Sequence, residues 1–485
     1  MPAAHPPAAS PEPVEPGDGL TVAGGDQEIP EATADTAVPE SHGKRVSFVE
    51  LYLDLIFVLA VGRLSQLLVE EPTGHRVLVT LGLFLLLWWT WIGFVVLFNR
   101  YGVDDRWQRF AFLAATVPGG IAAVAVVPAA DGDTAVLAGA LAAIRFVLVI
   151  AHFDKGHVVD LARQRASAIY AVSGTMFAVS LLLPERARLI LWGVIILSES
   201  GAILDDDLRR DELPEFERGQ RRTREEVRQL RAHARDARRR ARAHRKAEQR
   251  AQRGRGRDRE QAGPEMLARF APKDPKDGLD AHHFAERFGL FLIILLGEVV
   301  LEAGKGTLDH REILAQQWVS LGAAMVLAAS LWWLYFSVAA DINRQVLDLA
   351  GGSPAIARTI FAVGHMVPAF ALLLISGGVG ALIEHEGSTA AAPHLSGAYV
   401  LVSAGLALYL FGTRSFMFAN SGPSGALRAA ILVATVFLAR LRHELAPNEY
   451  LLVVTVWALG CAALVIRDAS YFGRRAARIA ESEGV

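Results

Sequence analysis

The sequence predicts an all-α, polytopic transmembrane helical bundle of about 12 spans, built as two parallel six-helix repeats. Three observations carry that prediction. Long apolar runs recur along the chain, Lys and Arg gather in alternate connections, and short motifs return in the same order in both halves.

The apolar runs come first. The 485 residues are 52% hydrophobic and 21% charged, with a mean hydropathy of +0.30. These averages sit close to those of soluble chains, so the distribution of charge decides. A spanning helix needs about 20 mostly apolar residues to cross a hydrocarbon core roughly 30 Å thick. In the first half, suitable segments are 48–68, 77–98, 108–128, 134–152, 166–183 and 187–204. In the second they are 284–303, 314–338, 355–383, 395–418, 426–443 and 449–467. Val77 to Phe98 holds no charged residue. The fifth and sixth segments are short and read as tilted, re-entrant or one hairpin. Pro118 and Pro368 fall inside spans, where lipid-embedded helices tolerate a kink.

Charge sets the expected orientation, because Lys and Arg collect in cytoplasmic loops. Arg100, Arg106 and Arg109 lie in one even-numbered loop, Lys155, Arg163 and Arg165 in another, and Arg467, Arg474, Arg475 and Arg478 at the C-terminal end. The odd loops 129–133 and 384–394 have none, while Arg440 and Arg442 run against the trend. The expectation is a multi-pass protein of the cell (cytoplasmic) membrane with both termini inside. Residues 1–45 hold eight prolines, eight acids and only Lys44 and Arg45 as bases, with no apolar signal core. Such a segment cannot bury enough surface to order itself, and it reads as a disordered cytoplasmic tail. The first repeat then covers 46–204, a basic connection 205–282, the second repeat 283–470 and a cytoplasmic tail 471–485. Within the connection, residues 218–259 hold eighteen Lys or Arg against five acids. With no sustained apolar stripe they read as a solvated helix. Its first role is a linker that enforces topology; its second is contact with anionic lipid headgroups. Nucleic acid is not an expected partner.

The repeat rests on four matches. Phe48-Val49-Glu50-Leu51-Tyr52 corresponds to Phe284-Ala285-Glu286-Arg287-Phe288 at an offset of 236. Trp88-Trp89 and Asn99-Arg100 return as Trp332-Trp333 and Asn343-Arg344 at an offset of 244. Arg109, Phe112 and Pro118 find Arg358, Phe361 and Pro368 at offsets of 249 to 250. An even helix count per repeat makes the two parallel. Parallel repeats occur in transporters with sites at the repeat interface, which is an analogy of fold alone.

Charges inside apolar spans are costly and normally face protein or water. Glu50 and Asp54 share one face of the first helix, and Ser65 extends that stripe. The first reading is that they face a buried polar network; the alternative, stronger for Glu50 than for Asp54, is that they cap the helix N-terminus. Arg63 near the other end reads as snorkelling to the interface. Glu298, beside Gly297 and one turn before Glu302, is the strongest single candidate. Arg145 lacks an acid in its own span and needs one from Asp54, Glu199 or Glu298. His365 precedes Pro368 and reads first as a hydrogen-bonded packing residue. Glu286 stands one turn from His282-His283 at the membrane edge. Too few groups converge there for a metal site, so no metal and no cofactor is expected. Cys461 reads as a small core residue. P-loop, dinucleotide, HExxH and Gly-x-Ser-x-Gly patterns are missing from the sequence.

The stretch Val46-Ser47-Phe48-Val49-Glu50-Leu51-Tyr52-Leu53-Asp54-Leu55-Ile56-Phe57-Val58 resembles the opening signature of the bacterial low temperature requirement A family. Glu286-Arg287-Phe288-Gly289-Leu290 through Gly297-Glu298 resembles its second signature, and the Trp-Trp and Asn-Arg elements also fit. The resemblance covers roughly 44–470 outside the basic insert. It implies a multi-helix membrane protein named for growth at low temperature, with no settled molecular activity. More weakly, the first helix is similar to the pore helix of the endolysosomal potassium channel family and its bacterial relatives, whose Phe-Ser-Asp is here Tyr52-Leu53-Asp54. The leading expectation is a transporter or channel for a small solute or ion, its polar pathway drawn from Glu50, Asp54, Arg145, Glu286, Glu298 and His365. The alternatives are a membrane enzyme using His282, His283 and Glu286 on a lipid-soluble substrate, or a scaffold or sensor acting through 218–259.

Overall fold

A computed structural model describes residues 47–101, 106–152, 161–210, 270–272, 278–308, 315–386, 395–413 and 424–483. The tail at 1–45 and the basic stretch at 218–259 lie outside the described residues. Every element among the described residues is a helix. In order these are α1 (Phe48–Glu70), α2 (Gly74–Tyr101), α3 (Arg106–Ala130), α4 (Ala135–His152), α5 (Leu161–Ser180), α6 (Glu185–Arg210) and α7 (Ala281–Leu308). There follow α8 (Ala315–Leu334), α9 (Ala340–Leu349), α10 (Pro354–Ala357), α11 (Met366–Glu384), α12 (Leu395–Gly412), α13 (Ser424–Phe437) and α14 (Pro447–Glu483). A π turn, Tyr335–Ala339, joins α8 to α9, and a second, Arg358–Val363, leads from α10 towards α11. A 3₁₀ turn, Leu438–His443, extends α13. The residues expected to form a C-terminal tail continue α14 as far as Glu483.

Eight of these stretches are long and apolar enough to cross a bilayer: 48–70, 74–99, 109–130, 135–152, 315–349, 354–384, 395–412 and 447–467. The protein is therefore a multi-pass membrane protein by length and composition. Four expected spans, on α5, α6, α7 and α13, are not among the eight, and for the last two the reason is visible. Every stretch of α7 long enough to span carries more than two charges, and α13 has only 14 residues.

Local chemistry places the ends. Ser47 caps α1: its hydroxyl accepts from the Glu50 amide, and the Glu50 carboxylate accepts from the Ser47 amide, both at 3.4 Å. This capping box satisfies two of the amides a helix start leaves bare. At the opposite end of α1, Arg76 bridges Glu71 (2.7 Å) and Asp131 (2.9 Å), tying the α1–α2 turn to the α3–α4 turn. The Arg76 hydrogen bond holds the half-exposed Glu71 carboxyl below the usual carboxylate range. Arg188 at the start of α6 donates to Thr134 Oγ1 (2.8 Å) and to the Ser180 carbonyl (3.0 Å). The α5–α6 turn thereby joins the same end.

The packing order repeats along the chain. In the first half α1 packs on α3, α3 on α4, α4 on α5 and α2 on α6. In the second, α7 packs on α11, α11 on α12, α12 on α13 and α8 on α14. Across the halves, α1 lies against both α7 and α11. The most enclosed helix is α11, buried almost throughout. Its approach to α12 depends on glycine at the contact, as close helix packing in lipid commonly does. A Cβ at Gly405 would lie 2.8 Å from Ile375 Cγ1 and 3.0 Å from the Ala371 carbonyl oxygen. Gly405→Leu is expected to lower stability by ~1–3 kcal/mol through overpacking. Thermal melting in detergent should show the loss, while Gly193→Leu, where a Cβ meets nothing within 4 Å, melts like wild type.

Candidate functional site

The turn between α9 and α10 sets the start of α7. Gly352 has φ +69°, and a Cβ there would sit 2.3 Å from the Leu279 carbonyl oxygen. Only glycine fits, and its carbonyl accepts from the Leu279 amide at 2.8 Å. One turn into α7, His283 and Arg287 are fully buried against the acids of α1. Arg287 donates to both oxygens of Asp54, from Nη2 to Oδ1 at 2.8 Å and from Nε to Oδ2 at 3.2 Å. Its Nη1 donates to Glu50 Oε2 at 3.0 Å. Trp91 of α2 donates its indole N–H to Asp54 Oδ1 at 2.6 Å. The guanidinium also lies over the Phe98 ring, 5.2 Å from its centroid.

His283 closes this cluster, and its protonation follows from its neighbours. Asn99 accepts from the Asp280 amide through Oδ1 (3.1 Å) and donates to the Asp280 carbonyl through Nδ2 (3.0 Å), which fixes the amide's orientation. The Asn99 Nδ2 that faces His283 Nδ1 at 3.1 Å is therefore a donor, and Nδ1 must accept. The ring proton then sits on Nε2, 3.1 Å from Glu50 Oε2.

From Phe288 to Gly297, α7 is wholly apolar. Glu298 stands eleven residues beyond Arg287, about 16 Å along the axis at 1.5 Å per residue. It is buried against α1, where Gly62 leaves it room: a Cβ there would come within 2.9 Å of Oε1 and 3.0 Å of Oε2. Its Oε1 has no hydrogen-bond partner. One turn on, Glu302 is buried too and pairs with Lys305 at 2.6 Å. Ser376 of α11 donates to the Glu298 carbonyl (3.1 Å), and Ser65 of α1 donates to Ser376 (3.0 Å).

The other candidates sit apart. Arg145 meets Glu199 of α6, one of its three expected partners, through Nε (3.2 Å) and Nη2 (3.1 Å). Its Nη1 donates to Thr90, and its guanidinium lies 4.9 Å from the Phe177 centroid. His365 bridges the two π turns. Its Nδ1 faces the Ile360 carbonyl at 2.9 Å and must donate; Nε2 shares a hydrogen bond with the Tyr335 hydroxyl at 2.6 Å, accepting from it in the neutral ring. Beside them lies a cavity of ≈ 10 Å³ lined by Asn343 and Thr413 among others, room for about one water. Phe288 links this corner to the first cluster, its ring 5.1 Å from His365 and 4.9 Å from Trp91. Glu286 is half-exposed and 4.0 Å from the exposed His282, while the neighbouring His283 turns inward. The trio His282, His283 and Glu286 does not converge.

Glu50 and Asp54 thus come together, while Arg145, Glu286, Glu298 and His365 each take separate surroundings. Sequence reasoning passed over Arg287, Trp91 and Asn99. One signal was available for Arg287: in the repeat register it stands opposite Leu51, amid the acids of α1.

The family described as bacterial low temperature requirement A protein matches residues 45–466. An uncharacterized protein of Rhizobium meliloti (strain 1021) is 24% identical over 436 residues, covering 85% of this chain and 88% of that protein. No solved structure matches.

Proposed function

The chain belongs to the bacterial low temperature requirement A family, and from that premise we propose that it moves a small solute or ion across the cell membrane between two parallel six-helix repeats. The twelve spans comprise α1 to α7, the continuous rods 315–349 and 354–384, α12, α13 with its 3₁₀ extension, and α14. The repeated packing order supports the two-repeat reading, since first pairs with third, third with fourth, fourth with fifth and second with sixth in each half. Both termini face the cytoplasm on the Lys and Arg bias. Arg76 and Arg188, at the other end, are taken up by carboxylates, a hydroxyl and backbone carbonyls.

One observation carries the transport reading. A single stripe of α1, Glu50, Asp54, Gly62 and Ser65, meets polar groups of the second half at both ends of the span. It meets His283 and Arg287 at one end and Glu298 and Ser376 towards the other. Buried polar groups along an interface between repeats are where transport sites form. Of these acids, Glu298 is the one not held by a cation or a cap.

Reconstitution in liposomes tests the reading. Wild-type vesicles should pass at least one member of a panel of inorganic cations, anions and small organic solutes faster than empty vesicles. Glu298→Gln is expected to reduce that flux to the empty-vesicle level while melting like wild type. A panel in which wild-type and empty vesicles never differ would sink the proposal.

A further inference from the structure

We infer that Glu298 and Glu302 form a proton-binding pair, loaded from the end of α7 that carries Lys305. The inference deepens the transport reading and rests on it only in holding that the bound proton crosses the membrane. Four observations lead there.

First, the two carboxyl groups sit one turn apart on one face of α7, and both are buried. Two ionised carboxylates so placed repel each other, and one proton on the pair removes that repulsion. Second, Glu298 Oε1 is buried with no partner, although Glu298 is over nine-tenths enclosed. An orphaned buried carboxylate oxygen is expensive as an anion and cheap once the group is protonated. Third, the charges do not balance. The groups acting on Glu298 are Glu302 and Lys305, two acids against one ammonium. Across from them α1 presents Gly62 and Ser65, and α11 presents Ser376 and Gly380, none of them charged. Arg63 of α1 is engaged with Gln66 at 2.7 Å, and α8 carries no titratable residue. Glu70, at the end of α1, and Glu384, at the end of α11, are exposed; His385 beside Glu384 faces the Ala381 carbonyl. One added proton makes the trio neutral. Fourth, access is one-sided. Lys305 is 40% exposed and touches the buried Glu302. In the other direction lies the apolar run from Phe288 to Gly297.

Loading then follows. A hydronium ion from the aqueous side gives its proton to the Glu302 carboxylate beside the Lys305 ammonium and leaves as water. The carboxyl so formed donates to Glu298. No other ion is required.

Infrared difference spectroscopy on the full chain in lipid nanodiscs reads the site directly, with acidic minus alkaline spectra and the proton as the probe. Wild type should show a protonated-carboxyl C=O band that titrates. Glu298→Gln and Glu302→Gln should each lose it, with Glu286→Gln, at the half-exposed edge, as the control that keeps it. Should both Gln variants fail to fold, Lys305→Met takes their place. It removes the opposing charge, so the band's midpoint should move to higher pH by roughly one unit or more. A wild-type spectrum without the band at any pH overturns the proposal. So does a band untouched by the Gln variants, or by Lys305→Met in their place. Flux measured on the same preparations separates the two readings. A titrating band without flux retires transport and keeps the proton site. Flux without the band retires the proton site and keeps transport.

Discussion

Arg287→Met is expected to be among the most destabilising substitutions at the protein's buried charges. Arg287 is fully buried and carries the positive charge that holds both Glu50 and Asp54. Removing it leaves two carboxylates enclosed among α1, α2 and α7, and breaking a buried pair from one side costs ~3–5 kcal/mol. The variant should melt far below wild type in detergent, or fail to accumulate in the membrane fraction. The matching control removes all three charges together: Glu50→Gln, Asp54→Asn and Arg287→Met. Removing all three charges together leaves no uncompensated ion in the core, which is what makes a one-sided break so costly. The triple variant should therefore regain most of the lost melting temperature. A single Arg287→Met variant that melts like wild type would show that the cluster does not hold α7 to α1.

The second large effect falls at Arg145 and Glu199, and it should be asymmetric. The guanidinium forks onto Glu199, donates to Thr90 and covers Phe177, and a Cβ at Gly174 would lie 3.0 Å from Arg145 Cβ. Arg145→Met leaves a carboxyl that can shed its charge by taking a proton. Glu199→Leu leaves a guanidinium that cannot, since arginine stays charged in proteins. Both should cost ~3–5 kcal/mol, with Glu199→Leu the worse. Melting curves of the two variants and of the double variant Arg145→Met, Glu199→Leu test this. Equal single losses, or a double variant no better than either, would contradict the asymmetry.

These two sites also mark what a sequence can disclose. Helix positions were legible because apolar runs are local: α1 and α4 begin and end close to the expected limits, and α12 begins at the expected residue. Arg145 was legible as a residue in need of an acid, because a lone charge at mid-span has few explanations. Which acid it meets depends on how α4 and α6 pack, and that information is not local. Glu286 and Arg287 show the limit more sharply. They are adjacent, so about 100° of helix separates them. The register of α7 against α1 buries the arginine and leaves the glutamate at the surface. The pairing of His365 with Tyr335 was equally out of reach, because π turns on two rods align them and no apolar periodicity announces a π turn. The family signatures, by contrast, are short contiguous strings and need no fold to be seen.

The π turn Arg358–Val363 has a meaning in terms of descent. A π turn accommodates one residue more than an α turn, and it can arise when a codon is inserted into a helix. On the two-repeat reading, Arg109 and Phe112 match Arg358 and Phe361 at an offset of 249, whereas Pro118 matches Pro368 at 250. The extra residue falls between Phe361 and Pro368, where the π turn runs out, while α3 of the first half is continuous. After duplication the second copy would have gained one residue and absorbed it as a bulge rather than rotating the rest of α11 out of register. That bulge leaves the Ile360 carbonyl facing His365 and the Ala362 carbonyl facing the Trp88 indole at 2.8 Å. On that reading, an inserted residue would have become a joint between the two copies.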